Sequence, residues 1–370
     1  MKVPVSILIP IKNESANLPR CLAAVAWADE IFVVDSNSTD GSQAMVEAFA
    51  KAHGGPRTTG ETAEVSGQWS RGGGEPSTAN LQPPTASGQQ IKLVQFQFNG
   101  TWPKKKNWAL ENLPFKHEWV FILDADEVLP PEAEAEFREI VSRNSDCGLR
   151  TTGQQDQVAE VRGRGSDVGG PVVSSQWSGA DAPPVGYWIN RRFMFMGQWL
   201  KHAYYPNWNL RLFKHRLGRY EKLTDVATAS GDNEVHEHVV VQGQTGHLKC
   251  EMDHYAFPSV DVFMEKHNRY SNWEARVALD QLLPGSSRSL QSRQVGLRRR
   301  LKLLSQRLPF RPLLRFLYVY LWQRGFLDGK AGYHFARLHG VYEYLCVVKT
   351  VELKKRQRSE DCRHQAGGGK

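Results

Sequence analysis

The chain of 370 residues has few cysteines and no long apolar run. Its five cysteines form no C-x-x-C pair and are odd in number, which argues against a disulfide framework and against a zinc ribbon. A membrane-spanning helix needs about 20 apolar residues, and the nearest candidate, Leu313–Trp322, is short and contains Arg315. The N-terminal residues Met1–Pro4 lead straight into a strand-like run, without the apolar segment of a secretion signal. We therefore expect a reduced, cytoplasmic globular protein that does not span a bilayer.

Acidic residues are missing from one long stretch of the second half. Between Asp280 and Asp328 there is none, whereas the stretch holds nine arginines and Lys302, interleaved with leucines. The formal charge of the whole chain is +8. This pattern predicts that the stretch around Arg298–Lys302 forms an interfacial helix on anionic lipid, with a merely solvated surface as the alternative. No clustered base-stacking aromatics form a recognisable module, so nucleic acid is not expected as a partner.

Buried-strand runs alternate with helical segments through the first part of the chain. The strand runs are Val5–Pro10, Ile31–Val34, Ile91–Phe98 and Trp119–Leu123. Strand and helix in alternation are typical of a parallel sheet with right-handed crossovers. The sequence thus predicts an α/β fold.

Low-complexity segments interrupt this pattern twice. Residues of about 54–90 hold eight glycines and four prolines, and a similar segment covers about 150–185. Neither can build a core, so we expect both to be surface insertions in one domain over residues 1–257. A basic, amphipathic helical region is expected over 258–350, followed by a disordered basic tail over 351–370.

Two carboxylates follow the last of these strands directly. Asp124 and Asp126 stand at its carboxyl end, where open parallel sheets bind ligands. A rigidly held pair of carboxylates suits Mg²⁺ or Mn²⁺, which prefer oxygen ligands and often bind substrate phosphates as well. The alternative is an exposed acidic turn that caps the next helix.

The loops after the first two strands are polar. Pro10–Glu14 and Asp35–Gly41 are rich in acceptors that suit the hydroxyls and base edges of a nucleoside. Neither contains a glycine-rich phosphate-binding motif. Taken alone, Asp35 and Asp40 are better explained as turn and helix-cap residues.

These segments together resemble family 2 glycosyltransferases. The resemblance is carried, in order, by Val5–Glu14, Glu30–Ser42, Lys106–Asn107 and Phe121–Glu127. It implies the GT-A fold: a Rossmann-like, mostly parallel sheet flanked by helices, here with a C-terminal helical amphipathic extension. Motifs of the second half resemble the branch of lipopolysaccharide-core and cell-wall glucosyltransferases: Asn209–Phe213, Val235–Glu237, Gly246–Leu248, Asp253–Tyr255 and Phe326–Gly332.

The resemblance also implies residue roles. It places Pro10, Glu14 and Asp35 at the nucleoside, Lys106 (with Lys105 as a further candidate) near ribose or phosphates, and Asp124 at ribose and metal. Asp126 would ligate the metal from a surface loop, so its removal is expected to leave core stability unchanged. His236 or His254 would complete the metal shell or touch the diphosphate, with a structural role as the alternative for each.

An inverting transferase needs a carboxylate that accepts the proton of the acceptor hydroxyl. Glu237 is the candidate, ahead of Glu234 and Asp232. The alternative is that His236–His238 is only a charged edge strand before Val239–Val241. A zinc-protease motif is excluded because position 240 is valine.

The resemblance implies an inverting, metal-dependent enzyme that moves a hexose, expected to be glucose, from a UDP-linked donor. Its acceptor would be a lipid-linked or lipopolysaccharide-type glycan at the inner face of the cytoplasmic membrane. The Q-x-x-R-W motif of processive synthases is absent. Two alternatives remain: a nucleotidyltransferase that forms nucleotide sugars, and a non-catalytic basic protein that binds membranes or nucleic acid.

Overall fold

The computed structural model describes residues 1–53, 90–100, 102–148, 183–222, 238–280 and 310–367. Both predicted insertions lie almost wholly outside this part of the chain. Residues 223–237 and 281–309, which include the expected catalytic base and the stretch around Arg298–Lys302, lie outside it as well.

A nine-stranded sheet forms the centre of the described structure. Its strands are β1 (Val3–Ile11), β2 (Ala28–Asp35), β3 (Gln90–Gln95), β4 (Trp119–Ile122), β5 (Glu127–Val128), β6 (Gly186–Phe195), β7 (Gln198–Trp199), β8 (Trp208–Lys214) and β11 (Thr245–Phe257). Their order is β3-β2-β1-β4-β8-β6-β11-β5, with β7 paired to β6. Two short strands, β9 (Gly218–Tyr220) and β10 (Val239–Val241), pair separately.

Most strands of the large sheet point the same way. The first four in chain order are parallel to one another, and β8 is antiparallel to both β4 and β6. This makes β6 parallel to β4, and β11 is in turn parallel to β6. Only β5, β7 and β8 run the other way. The predicted α/β class and the mostly parallel sheet are therefore confirmed.

Helices cover both faces and one end of the sheet. They are α1 (Leu18–Ala24), α2 (Ser42–Ala52), α3 (Lys105–Asn112), α4 (Ala133–Gly148), α5 (Val260–Asp280), α6 (Arg311–Leu317), a π-helical turn (Tyr318–Trp322), a 3₁₀ helix (Gly325–Asp328) and α7 (Gly329–Gly367). None in the described ranges is both long enough and apolar enough to cross a membrane.

Some element boundaries differ from those expected. Gln90 belongs to β3, although it was expected to end the first insertion. The tail expected to be disordered is helical up to Gly367, because α7 continues through residue 350 without a break. The division of the chain into domains stays a prediction.

The apolar runs form strands because both faces of the central sheet are covered. Alternate side chains of β1 enter two cores: Val5, Ile7 and Ile9 pack with α1, α2 and α4, whereas Leu8 packs towards α3. Each such side chain is fully buried, and removing it from water contributes about 1.5–3 kcal/mol. This rigid centre holds the ends of the strands, and hence their loops, in place.

A third core joins the C-terminal helices to the sheet. Phe193 and Phe195, near the carboxyl end of β6, pack against Phe263 of α5 and Phe335 of α7. The helical region is therefore attached to the same end of the sheet at which the strand-end loops lie.

Candidate functional site

The loops after β1 and β2 lie side by side because their strands are adjacent. Ile11 pairs with Asp35 at the carboxyl ends of the two strands. The backbone N–H of Asn13 donates to Ser38 Oγ, and the N–H of Thr39 donates to Asn13 Oδ1, both at 2.8 Å. The two acceptor-rich loops therefore form one rigid unit.

Asp35 uses its carboxylate within its own loop. It is buried and accepts from the backbone N–H of Ser38 and, at 2.7 Å, from Gln43 Nε2. Beside these partners an open groove is lined by Ser38, Thr39, Gly41, Gln43, Ala44 and Glu47. The turn role of Asp35 is thus present in the structure, and its contact with a nucleoside stays a prediction.

Asp40 ties the start of α2 to the first loop. Its carboxylate accepts from the backbone N–H of Ser42 and from that of Ser15. Burial alone would raise the pKa of Asp40, but these hydrogen bonds outweigh it and hold the pKa well below its usual value. Asp40 is therefore engaged as a turn residue just before α2, whose N-cap position is Gly41, and its contact with a nucleoside stays a prediction.

Asp124 is held between two cations. Lys106 Nζ of α3 lies 2.8 Å from one carboxylate oxygen, and Arg211 Nη2 of β8 lies 2.8 Å from the other. Burial would raise the pKa of Asp124, but Arg211 and Lys106 together hold it well below the usual range. The pKa of Lys106 is raised in turn, because attraction to Asp124 outweighs the effect of burial. All three groups are therefore charged at neutral pH.

Asp126 has a different pair of partners. His254 Nε2 of β11 lies 3.6 Å from its Oδ1, and Lys266 Nζ of α5 lies 3.3 Å from its Oδ2. Only 9% of Asp126 is exposed, so the expectation of a surface-loop carboxylate is wrong. Burial raises its pKa, whereas His254 and Lys266 lower it by more, so Asp126 is ionised. The structure thus brings the expected metal ligand together with His254.

A buried carboxylate behind these two orients the acidic loop. Glu127 is fully buried, and its side chain accepts from the backbone N–H of Asp124 at 3.0 Å. It also accepts from Arg211 Nη2 at 2.7 Å and from Arg191 Nη1 at 3.2 Å. Arg211 therefore bridges Asp124 and Glu127, which fixes the loop against β6 and β8.

Sequence reasoning missed Arg211, Arg191 and Lys266. A signal existed for Arg211, because an arginine inside the apolar run Trp208–Phe213 can be buried only with an anionic partner. Lys266 gives no such signal, because its helical segment also carries other charged residues on exposed faces.

The remaining expected donor-binding residues lie at the same edge. Pro10 is half-buried near the end of β1. Burial raises the pKa of Glu14, a hydrogen bond from Asn17 lowers it, and Asp126 raises it further. Lys105 points inward and donates to the carbonyl oxygen of Ile11 at 2.9 Å. Of the two lysines considered, it is Lys106 that contacts the acidic loop.

The expected catalytic base and its alternatives, Glu237, Glu234 and Asp232, lie outside the described residues, as does His236. The strands on either side of that segment are described, and β9 lies against α3, the helix that carries Lys106. Tyr220 of β9 pairs with Val239 of β10, and Asn107 Nδ2 donates to the carbonyl oxygen of Tyr220 at 2.9 Å. Lys106 Nζ lies 5.3 Å from the centre of the Tyr220 ring.

Within the described ranges, no group of three or more histidine, cysteine, aspartate or glutamate side chains is arranged to hold a metal ion. At the acidic loop, Asp126 and His254 form a pair of such residues, with Oδ1 and Nε2 3.6 Å apart. One carboxylate oxygen and one imidazole nitrogen form a minimal donor set for a divalent cation that takes its other ligands from water and substrate phosphates.

Comparison with known proteins bears directly on this edge of the sheet. The model of the family "Glycosyl transferase family 2" matches residues 6–60, which contain the first two loops. Over 369 residues the chain is 24% identical to the lipopolysaccharide core biosynthesis glycosyltransferase LpsC of Rhizobium meliloti (strain 1021), covering 97% of both chains.

Two solved structures are also similar. The mannosyltransferase PcManGT from Pyrobaculum calidifontis, in complex with GDP-Man and Mn²⁺, is 15% identical with a TM-score of 0.40, over 95% of this chain and 88% of its own. S. aureus TarS 1-349, in complex with UDP-GlcNAc, is 15% identical with a TM-score of 0.36, over 96% of this chain and 92% of its own. The resemblance to family 2 glycosyltransferases is confirmed by the family model and the curated relative, and the chain is a glycosyltransferase.

Proposed function

We propose that this glycosyltransferase moves a hexose, glucose, from a UDP-linked donor to a lipid-linked or lipopolysaccharide-type glycan, with inversion and with Mg²⁺ or Mn²⁺. The observation that carries the proposal is the acidic loop at the carboxyl edge of the sheet. There Asp124 and Asp126 are held in fixed positions by Lys106, Arg211, His254 and Lys266.

The cations of this edge suit a nucleoside diphosphate. Lys106 stays protonated because its pKa is raised, and its ammonium group lies between Asp124 and the face of Tyr220. A diphosphate that approaches this edge meets fixed positive charge, and its binding requires no reorganisation of the loop. Pro10, Glu14 and Asp35 would face the nucleoside, Asp124 the ribose, and Lys106 the ribose or phosphates.

The residues present fit a divalent cation. Asp126 and His254 would hold it, Asp124 would lie close by, and substrate phosphates and water would complete the shell, as is usual for Mg²⁺. Lys266 is the competing partner of Asp126 and would have to move from one carboxylate oxygen. A cation bound there supplies stabilisation of the negative charge that develops on the leaving diphosphate.

Inversion requires one displacement at the anomeric carbon, so an α-linked donor gives a β-glycoside. A carboxylate must accept the proton of the acceptor hydroxyl, and we propose Glu237, with Glu234 and Asp232 as the alternatives. The position of β9 next to Lys106 and Asn107 supports this choice, because β9 pairs with β10, and Glu237 stands two residues before β10 in the sequence. Among the alternatives considered from the sequence, a nucleotidyltransferase is less well supported, because no glycine-rich phosphate loop is present.

The curated relative and the charge of the chain support the proposed acceptor and location. The relative LpsC is named for lipopolysaccharide core biosynthesis, which supports an acceptor of that class for this chain. We further propose that the enzyme acts at the cytoplasmic face of the membrane, held there in part by Arg298–Lys302. Replacing Arg298, Arg299, Arg300 and Lys302 with glutamine should weaken binding to anionic vesicles, most visibly at moderate salt. Each basic residue near such a surface contributes about 1 kcal/mol.

The test is hydrolysis of a panel of UDP- and GDP-linked sugars, with and without Mn²⁺, by the whole chain and two variants. Asp126→Asn removes the carboxylate charge at the site, and Glu139→Gln is the matched control on an exposed face of α4. We expect metal-dependent hydrolysis of UDP-glucose that Asp126→Asn loses and Glu139→Gln keeps. Hydrolysis that needs no metal, or that survives in a folded Asp126→Asn protein, would contradict the metal assignment.

A second test addresses the base. Glu237→Gln keeps size and hydrogen bonding but cannot accept a proton, so turnover should fall roughly 10²–10⁴-fold with little change in donor affinity. If Glu237→Gln has near-normal turnover and Glu234→Gln or Asp232→Asn is inactive, the residue of the inactive variant is the catalytic base instead of Glu237.

A further inference from the structure

The C-terminal helical region exposes large apolar side chains in an unusual concentration. Most of those that the described chain exposes fall between residues 310 and 351. Six of them, Phe310, Leu313, Leu317, Leu321, Trp322 and Phe326, define what we call the α6 surface. Trp322 is 80% exposed and Phe310 77%, and α6 contains no buried residue. Soluble chains rarely expose so many large apolar groups together without a partner for them.

The charged groups around the α6 surface are almost all basic. Arg324, Lys330 and Arg337 are exposed. In residues 310–342 the one acidic residue is Asp328, and its carboxylate is buried. Glu343, which follows, is paired with Arg311. Over the described residues 310–343 the surface therefore presents apolar and cationic groups, and both carboxylates of this range are buried or paired.

This combination fits an anionic lipid bilayer better than a second copy of the chain. Apolar groups bordered by basic residues can enter the boundary between headgroups and acyl chains, and a tryptophan such as Trp322 is favoured at that depth. A symmetric contact between two copies would instead bring the same patch against itself. Arg324 and Lys330 would then approach cations of the partner copy with no carboxylate between them, which opposes association.

The α6 surface is fixed firmly to the sheet. The carboxylate of Asp328 accepts from the backbone N–H groups of Lys201, His202 and Ala203 at 3.0, 3.1 and 2.7 Å. Gln198 Nε2 donates to the carbonyl oxygen of Asp328 at 2.8 Å. These partners belong to β7 and the loop after it, and β7 pairs with the carboxyl end of β6. The surface is thus joined to the end of the sheet that carries the acidic loop.

We propose that the α6 surface inserts into the headgroup region of an anionic lipid bilayer and holds the carboxyl edge of the sheet close to it. The inference deepens the proposed function by naming the membrane-binding surface, although the surface itself is observed independently of the activity. It also differs from the charge effect expected of Arg298–Lys302, because it depends on buried apolar area.

The experiment is co-sedimentation of the full chain with vesicles of phosphatidylglycerol and phosphatidylcholine in equal amounts, and of phosphatidylcholine alone. The test variant is Leu321→Ser/Trp322→Ser, and the matched control is Met45→Ser/Val260→Ser, which changes two exposed apolar residues elsewhere. We expect the wild type and the control to bind the anionic vesicles alike. Binding of the test variant to the anionic vesicles should be at least about tenfold weaker than that of the wild type, because the variant lacks the two large apolar side chains that the bilayer would bury.

A charge variant separates the two contributions. Arg324→Gln/Lys330→Gln should reduce the preference for phosphatidylglycerol and the dependence on salt, with the apolar contribution retained. If the wild type and Leu321→Ser/Trp322→Ser bind anionic vesicles equally well, the proposal is overturned. It is also overturned if the wild type does not bind anionic vesicles. Sedimentation velocity without lipid gives a further check. If the wild type is a dimer and Leu321→Ser/Trp322→Ser is a monomer, the α6 surface is a self-association surface and the proposal is overturned.

Donor hydrolysis without vesicles distinguishes this inference from the proposed function. The side chains of the α6 surface take no part in the site, so Leu321→Ser/Trp322→Ser should hydrolyse donor as the wild type does. Vesicle binding by a chain that hydrolyses no donor would leave the α6 surface supported and the proposed function contradicted. Loss of vesicle binding with hydrolysis intact is the result that we expect of the variant.

Discussion

Replacing Asp126 with asparagine tests both the chemistry and the architecture of the acidic loop. Asparagine matches aspartate in size, so the change removes charge and leaves packing almost unaltered. In the wild type, Lys266 Nζ lies 3.3 Å from Asp126 Oδ2 and also donates to the carbonyl oxygen of Ala256 at 3.1 Å. After the substitution, Lys266 stays largely buried and loses its closest anionic partner; the carbonyl of Ala256, the ring of Phe257 and the more distant charge of Glu14 remain.

The magnitude follows from this burial. Removing one partner of a fully buried ion pair costs about 3–5 kcal/mol. Here 12% of the Asp126 side chain and 23% of the Lys266 side chain are exposed, so water screens part of the loss. We expect the free energy of unfolding to fall by about 1–3 kcal/mol, the range for an unsatisfied charged or polar group. The sequence had suggested no such loss of stability.

The assay is urea denaturation of four proteins: the wild type, Asp126→Asn, Lys266→Met and the double variant. If the two groups form an ion pair, the double variant should lose less stability than the sum of the single changes, with a coupling of about 0.5–3 kcal/mol. Additive losses within error would refute the ion pair. Unchanged stability of Asp126→Asn would refute the argument from burial.

The pH dependence gives an independent check of the same pair. The pKa of Asp126 is lower in the folded protein than the value of about 3.9 in an unfolded chain. The unfolded state therefore binds more protons as the pH falls below that value, and the stabilisation by Asp126 is lost progressively on further acidification. Above about pH 5 Asp126 should make its full contribution to the free energy of unfolding. Asp126→Asn should show a weaker loss of stability over the acidic range than the wild type does.

Three further predictions concern stability and the first insertion. Asp328→Asn should lower the free energy of unfolding in urea by about 1–3 kcal/mol, because three backbone N–H groups lose a charged acceptor. An unchanged free energy of unfolding would contradict the argument that Asp328 attaches the C-terminal helices to the sheet. Burial lowers the pKa of His267 to about 4, so the free energy of unfolding should fall by up to about 3 kcal/mol between about pH 6.5 and pH 4. The variant His267→Phe should show a weaker pH dependence over this range. An equal slope in both proteins would exclude His267 as the cause of the pH dependence. Replacing residues 54–89 with a short linker should leave donor hydrolysis largely intact, because loop length alters closure entropy only slowly, and failure of that protein to fold would show that the segment carries structure.

The course of the strands was predictable from local pattern. Apolar runs such as Ile31–Val34 and Trp119–Leu123 have no alternation because both sheet faces are covered, and the structure has strands there. The polar loops at their carboxyl ends were predictable for the same reason, since the buried run must end where the chain meets water. Helix ends were less predictable: α7 continues to Gly367, although the tail from residue 351 was expected to be disordered.

The partners of the acidic loop were not predictable, because they come from distant parts of the chain. Arg211 and Lys266 stand 87 and 140 residues from the carboxylates that they pair with. Nothing local distinguishes Lys266 from a solvated lysine. Its role depends on α5 packing beside the end of β11, which periodicity does not specify.

The sequence by itself determined that the chain is an α/β protein with acidic residues at the end of a buried strand, because hydrophobic period and strand-end position are local properties. The order and spacing of those residues also sufficed for the family resemblance. Only the tertiary structure decided that Asp126 is buried and paired, that His254 faces it, and that the apolar residues of the α6 surface stay exposed. Burial and charge pairing depend on which elements pack together. That packing brings together residues that are far apart in the sequence, and the local sequence pattern does not predict their contact.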